Sequence, residues 1–489
     1  MTATLGINVA EQSVYLGLLS SAFIAATALF SLIFGYLALC HKPFTLIAWE
    51  MSSWILAALL CGLAHYVDSY YLLLFGRVLS GVGEASFHCN AMPFINRHAP
   101  KENSALWLGV FIASITVGMA ASYVYGSIFA SSSLTWAWAF FVEVALMVPP
   151  VLCCVFCIPD ELNQVPTEEE DISDMSAALK EELIDSQDSH LRHSVSSSSS
   201  NNNKSVRSTS QVKTTDQVAH ASIINEIPSP TEPTYHQSAF FTQWWHVFRN
   251  VAFSLVAFGH AAYTFSLAAF SVFSPVLLIG MGFFEAETEV SLVFGVVIIV
   301  SGTIGTVLGG ITLDRMTQSN TVSRAERCRL AVDLMFYLMV VTTASGLIMM
   351  LFTSSKFWFL AWLGITFLFM SAVGPAETVA VMELFPQSHQ AMAVAANTVV
   401  ILVFGDVPSP VVLVEIVVGD PQLNPDCHLN RSGLNGVLLF AVLWLLWAVL
   451  LWDSAKFVVR KKAPEGEEKK NTVLVTESPM PSPASSKLN

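Results

Sequence analysis

Arg77, Glu84 and His88 stand in an otherwise apolar run of the chain. On insertion scales a charged side chain near the centre of a bilayer costs at least about 2.5–3.5 kcal/mol, so each one needs a partner, a water-filled cavity or a function. Arg77 and Glu84 are seven residues apart, two helical turns, and His88 follows four later, so the three share one helix face. A fixed cation, a titratable carboxylate and an imidazole in one stripe can bind an anionic group at Arg77 and exchange a proton at Glu84, with His88 as a further proton site. The alternative is an Arg–Glu pair that pins neighbouring helices, with His88 a satisfied polar residue.

Other polar groups interrupt apolar runs further along. Asp406 lies in Gly405-Asp406-Val407-Pro408-Ser409-Pro410, where two prolines free backbone carbonyls that only a cavity or neighbouring protein can satisfy, which favours a functional or gating role over a local cap. Glu377 follows Gly374-Pro375, and Glu383 is close enough to the end of the same run for a solvated or latch role. Glu50, beside Trp49, reads as a snorkelling side chain. Glu143 is deeper, and a structural and a functional role weigh equally for it. His260 and Tyr263 are candidate cavity residues, although a lone intramembrane His is more often a packing group. Of the eight cysteines, Cys61, Cys89, Cys153, Cys154 and Cys157 sit in apolar blocks and read as packed small hydrophobes, with no disulfide framework and no metal site.

The elements that must hold these groups follow from composition. Of 489 residues, 54% are apolar and 12% charged, about half the roughly 25% charge of soluble domains. The apolar residues cluster in blocks of about twenty, the length that crosses roughly 30 Å of hydrocarbon. Spans are expected at about 16–38, 44–64, 70–95, 104–130, 134–158, 250–282, 288–312, 329–354, 357–385, 390–418 and 434–458. The fold class is therefore an all-α polytopic membrane protein of two helical bundles: residues 1–158, a disordered linker over 159–249, residues 250–458, and a disordered tail over 459–489. Most of the net charge of −14 belongs to the linker, which also holds Ser196 to Ser200 and Asn201 to Asn203 and offers phosphorylation sites to cytosolic partners.

Lys and Arg set the orientation, because short basic loops stay in the cytoplasm. Lys42, Arg97, Lys101, the linker's bases, Arg315, Arg324, Arg327, Arg329 and the C-terminal Lys/Arg run all fall on one side, with Lys356 and Arg431 opposite. Linker and C-terminus are thus expected in the cytosol and the N-terminus outside, with no basic start that would mark a cleavable signal. The sequon Asn430-Arg431-Ser432 then faces the exoplasm as a glycosylation candidate, whereas that at Asn203 stays bare.

Gly309-Gly310-Ile311-Thr312-Leu313-Asp314-Arg315-Met316 resembles the loop signature of the major facilitator superfamily, between the second and third helices of each half. That resemblance implies two bundles rocking about a midplane site. Its glycines let helices approach closely, and Asp314 and Arg315 would make charge-assisted contacts that hold one gating state. The first-half counterpart begins at Gly35 and runs to Pro43, with Leu39 where the family usually has Asp. Arg77-Val78-Leu79-Ser80-Gly81-Val82-Gly83-Glu84-Ala85-Ser86 is similar to a segment in the fourth helix of Spinster-type lipid transporters, and the Gly405 to Pro410 segment to one in their eleventh. The resemblance implies that Arg77 and Glu84 face the cavity. It also implies twelve helices, of which the first, acidic in that family, has no counterpart among the eleven runs; Met1 to Tyr15 reads as the loop after it.

The function implied is secondary active transport of an amphipathic anionic lipid, a lysophospholipid or sphingoid phosphate, with protons as a coupling partner. Alternatives are a carrier of another small solute, an organic anion or sugar, and a non-transporting sensor or scaffold on the same fold. No enzymatic constellation is present: Gly81 and Gly83 read as helix-packing positions rather than a phosphate loop, and no metal, cofactor or nucleic-acid site is expected. Plasma and endolysosomal membranes are both compatible with the sequence.

Overall fold

The computed structural model describes residues 12–131, 135–165, 240–285, 287–318, 323–409, 412 and 431–476. The chain opens with α1 (Gln12–Leu37), and Pro43 then takes the first position of α2 (Pro43–Tyr66), where its missing N–H costs nothing. Ser69 Oγ accepts a hydrogen bond from the Leu72 N–H at 3.3 Å and so caps α3 (Tyr70–His98). α4 (Ser104–Ser131) and α5 (Ala137–Phe156) complete the first bundle. α6 (Phe240–Arg249) precedes the second bundle of α7 (Val251–Gly280), α8 (Glu287–Met316), α9 (Arg324–Leu351), α10 (Lys356–Glu383), α11 (Gln390–Ile401) and α12 (Arg431–Thr476). Ser323 caps α9 by accepting from the Glu326 N–H at 3.3 Å, a Ser-x-x-Glu start.

Among the described residues nine helical segments are long and apolar enough to cross a membrane. α3, with 29 residues, has its hydropathy lowered by Arg77, Glu84 and His88; α4, with 28, matches the others in length. With these two, a helix stands at each of the eleven positions where a span is expected. α11 continues as a π turn over Leu402–Asp406, where the Val407 N–H reaches back to the Leu402 carbonyl at 3.1 Å just before Pro408.

Two expectations about order do not hold. Residues 240–249, placed in the disordered linker, form α6, because aromatic and apolar side chains at helical spacing give it a face to bury: Trp244 and Val247 are covered while Trp245 is exposed. Residues 459–476, placed in a disordered tail, continue α12, since a Lys- and Glu-rich run is also good helix-forming composition. The rest of the linker, the sequon at Asn430 and the residues after Thr476 lie outside the described residues.

The bundles meet where α4 lies along α8 and α1 along α11. Two glycines of the loop signatures set that approach. A Cβ on Gly310 would stand 2.5 Å from the Ala105 carbonyl oxygen of α4, and one on Gly35 would stand 2.5 Å from Ala395 Cβ of α11. Gly35 also adjoins the Trp244 ring, so α1, α6 and α11 converge on that glycine. Gly81 and Gly83 serve packing as expected, against the Phe23 carbonyl of α1 and the Trp54 backbone of α2.

Candidate functional site

The charged residues fall into three groups, one in each bundle and one where the bundles meet. In the first bundle the Arg77 guanidinium lies over the Phe23 ring of α1, with Cζ 4.7 Å from the centroid. Among the described residues no carboxylate comes within ion-pair distance of it. The Arg–Glu pin considered from the sequence is therefore not formed, although both residues lie on the same half-buried face. Glu84 has one buried carboxylate oxygen, Oε2, without a hydrogen-bond partner among the described residues. His88, one turn on, meets the Phe111 ring edge-on at 6.5 Å and has no acidic partner among the described residues. Glu143 of α5 accepts from the Trp54 indole N–H at 2.6 Å, which joins α5 to α2. Glu50 does not snorkel: it is 1% exposed and its carboxylate accepts from the Phe87 backbone N–H.

The second bundle gathers residues that the sequence lists separately. Glu377 of α10, 3% exposed, has Oε1 2.8 Å from His260 Nδ1 of α7 and accepts from Asn397 Nδ2 of α11 at 2.7 Å. The His260 contact has ion-pair distance without good hydrogen-bond direction. Tyr263 packs its ring 5.3 Å from that of His260. A buried carboxylate is tolerated only when compensated, and here the imidazole and the amide compensate it while linking three helices. His260 is thus not a lone packing group. Asn397 Oδ1 is buried without a hydrogen-bond partner among the described residues. Asp406 ends the π turn beside this cluster. Gly405 lets that turn rest on the Ala261 carbonyl of α7, and Ser409 Oγ donates to the Phe265 carbonyl at 2.6 Å, so the Gly-Asp-x-x-Ser segment is docked on α7.

Where the bundles meet, Asp314 receives the backbone N–H groups of Ala105 at 3.0 Å and Leu106 at 2.7 Å, an acid on the N-terminus of a helix in the other bundle. Glu383 is held by Arg327 at 2.9 Å and Arg324 at 3.1 Å. Arg327 also donates to Asn96 of α3 at 3.3 Å and to Ser104 at the start of α4. Asp314, expected as a latch residue, thus bonds across to α4, while Glu383 is paired within its own bundle to an Arg327 that itself reaches the first bundle. Arg315 is exposed and joins no ion pair among the described residues, where Arg327 rather than Arg315 reaches the first bundle, through Asn96 and Ser104. On the first-half side, where Leu39 replaces the acid, the seam at Gly35 closes by apolar contact with α11.

Asn397, Asn96, Ser104 and Arg327 are the partners that sequence reading does not single out. Asn397 alone carries a visible signal, an amide inside the apolar Ala-Val-Ala-Ala-Asn-Thr-Val-Val run. The others are ordinary boundary residues until folding brings them together. The described residues contain no group of three His, Cys, Asp or Glu that could hold a metal ion.

The Major Facilitator Superfamily model matches residues 1–406. A probable sphingolipid transporter, spinster homolog 3 of Arabidopsis thaliana, is 27% identical over 451 residues, covering 90% of this chain and 74% of that one. Spinster homolog 2 of the same plant is 29% identical over 397 residues, covering 80% and 68%. The mouse sphingosine-1-phosphate transporter SPNS2 is 31% identical over 137 residues, 28% of this chain and 24% of its own. Among solved structures, the proton:xylose symporter XylE superposes with a TM-score of 0.57 at 13% identity over 92% of this chain and 88% of that one. The E. coli fucose:proton symporter FucP does so with 0.55 at 13% over 89% and 90%. With its paired bundles and an inter-bundle latch built on the loop signature, the chain belongs to the Major Facilitator Superfamily and is a multi-pass membrane transporter.

Proposed function

We propose that the protein moves an amphipathic anionic lipid, a sphingoid phosphate or lysophospholipid, across its membrane by alternating access, with proton exchange at Glu84. The observation that carries this reading is Arg77: a fixed cation within a span, on the half-buried face of α3, with an aromatic ring for company and no ion-pair partner among the described residues. A permanent charge held in a membrane without a counter-ion suits a ligand that brings the negative charge itself. The relatives' printed names, sphingolipid and sphingosine-1-phosphate transporters, support the lipid class.

In this reading the phosphate pairs with Arg77 and the acyl or sphingoid chain lies along apolar helix surface. The His260–Glu377–Asn397 cluster ties three helices of the second bundle together. The latch end, which carries the Lys and Arg excess, faces the cytosol, in a plasma or endolysosomal membrane. The latch joins the bundles at that end, the arrangement of a carrier whose cytosolic gate is shut.

Purified protein in proteoliposomes, offered radiolabelled sphingosine-1-phosphate, lysophosphatidic acid, a neutral sugar and a small organic anion, tests the assignment. Uptake of the lipids alone supports it. Uptake of sugar or organic anion without lipid would replace it by a small-solute carrier, and no uptake of any would favour a sensor on the same fold.

A further inference from the structure

Three cysteines occupy the last turn of α5 and its cap: Cys153, Cys154 and Cys157. Packing in the apolar core is what their sequence context suggests, yet Cys153 and Cys157 are exposed and Cys154 is half-buried. Cys153 and Cys157 are one turn apart, with the Cys157 N–H on the Cys153 carbonyl at 2.9 Å, so both thiols lie on one side of the helix. That side is not aqueous. Leu152, Val155 and Phe156, exposed by 50%, 55% and 78%, surround them with the apolar surface of a helix facing acyl chains.

The height of these thiols is also defined. Three residues after Cys157, Asp160 pairs with Lys42 at 3.1 Å, and Asn163 Oδ1 accepts from the Phe44 N–H at 3.1 Å. Both partners mark the start of α2, at the basic, latch end of the bundle. The thiols therefore sit at the boundary where hydrocarbon gives way to basic loops, on the side proposed above to be cytosolic.

The geometry points to a site of S-acylation at Cys153 and Cys157, with a long-chain acyl-coenzyme A as donor. The cysteine sulfur attacks the thioester carbonyl carbon and a new C–S bond forms. The C–S bond to coenzyme A breaks, and the departing thiol takes the proton that the cysteine gave up, so nothing is oxidised or reduced. Exposed juxtamembrane thiols are the setting for this chemistry, and the product chain inserts beside α5 without displacing a packed side chain. Two thiols one turn apart lack the further ligands a metal would need. The attached chain would fix to the bilayer the point where residues 158–165 leave the first bundle.

The inference rests on the proposed sidedness of the latch end. Its test uses the full chain in cells: free thiols are blocked with maleimide, thioesters are cleaved with hydroxylamine, and the released thiols are tagged with a polyethylene glycol maleimide. A hydroxylamine-dependent mass shift is expected, present in Cys40→Ser and lost in Cys153→Ser/Cys154→Ser/Cys157→Ser and in the corresponding triple Ala variant. No shift in the unaltered chain, or a shift that survives both triple variants, overturns the assignment. In the triple Ser variant that also carries Cys427→Ser, which removes the thiol of the loop expected outside, an impermeant maleimide reports the side on which exposed Cys40 lies. Cytosolic labelling without a mass shift defeats the acylation alone; labelling from the other side defeats the sidedness and the acylation with it.

Discussion

The side chains that carry the account differ in how they are compensated. Among the described residues Arg77 has no ion-pair partner and has the Phe23 ring, a cation–π contact worth about 0.5–2 kcal/mol depending on desolvation. Glu377 has an imidazole and an amide. Under the proposed function this difference predicts opposite phenotypes. Arg77→Ala should lower lipid transport by at least about tenfold, roughly 1.4 kcal/mol of lost interaction, while the melting temperature in detergent falls little. Asn397→Ala and His260→Ala strip partners from a buried carboxylate, where breaking a pair costs about 3–5 kcal/mol. Both should lower the melting temperature clearly, and Glu377→Gln should relieve much of that loss in the His260→Ala background, a coupling that a double-mutant cycle reads directly. The Arg77, Glu84 and His88 stripe was legible because helical spacing alone places those residues on one face. The His260–Glu377–Asn397 cluster was not, since its members come from three helices and only folding sets the distance between them.

At the scale of elements, α4 against α8 and α1 against α11 form the seam at which the bundles close, and Gly310 and Gly35 allow the contact. Gly310→Val puts branched carbon into the Ala105 and Leu106 backbone, so the latch end should be held apart. Spin labels placed across that end on α4 and α8 are expected to report a longer mean distance than in the unaltered protein; an unchanged distance would mean that the close approach is incidental. Asp314→Asn keeps an acceptor on the α4 amides but removes its negative charge from the helix N-terminus, and should shift the same distance distribution less. Span existence could be read from apolar runs and the latch loop from its glycines and acid. The cation at the seam could not: Arg315 stands next to Asp314 in sequence but is exposed, and Arg327 of α9 reaches Asn96 and Ser104 instead. α6 was obscured for a similar reason, since its polar surroundings masked a ten-residue stretch whose Trp244 packs on Gly35.

At the scale of the whole molecule, two bundles are joined at one end by polar bonds and close helix contact, with a cation on α3 that has no ion-pair partner among the described residues and a buried polar cluster in the other bundle. Alternating access requires the latch to break as the opposite end closes. If Glu84 carries the coupled proton, an imposed pH gradient should change the initial uptake rate of the unaltered protein and leave that of Glu84→Gln unaffected; a gradient response surviving in Glu84→Gln would assign coupling elsewhere. The central claim is that Arg77 receives the anionic head group, and it is tested most directly by the initial rate of radiolabelled sphingosine-1-phosphate uptake into proteoliposomes holding equal amounts of folded unaltered, Arg77→Lys and Arg77→Ala protein. The account predicts loss of uptake in Arg77→Ala, with Arg77→Lys retaining part of it. Undiminished uptake by Arg77→Ala would contradict it.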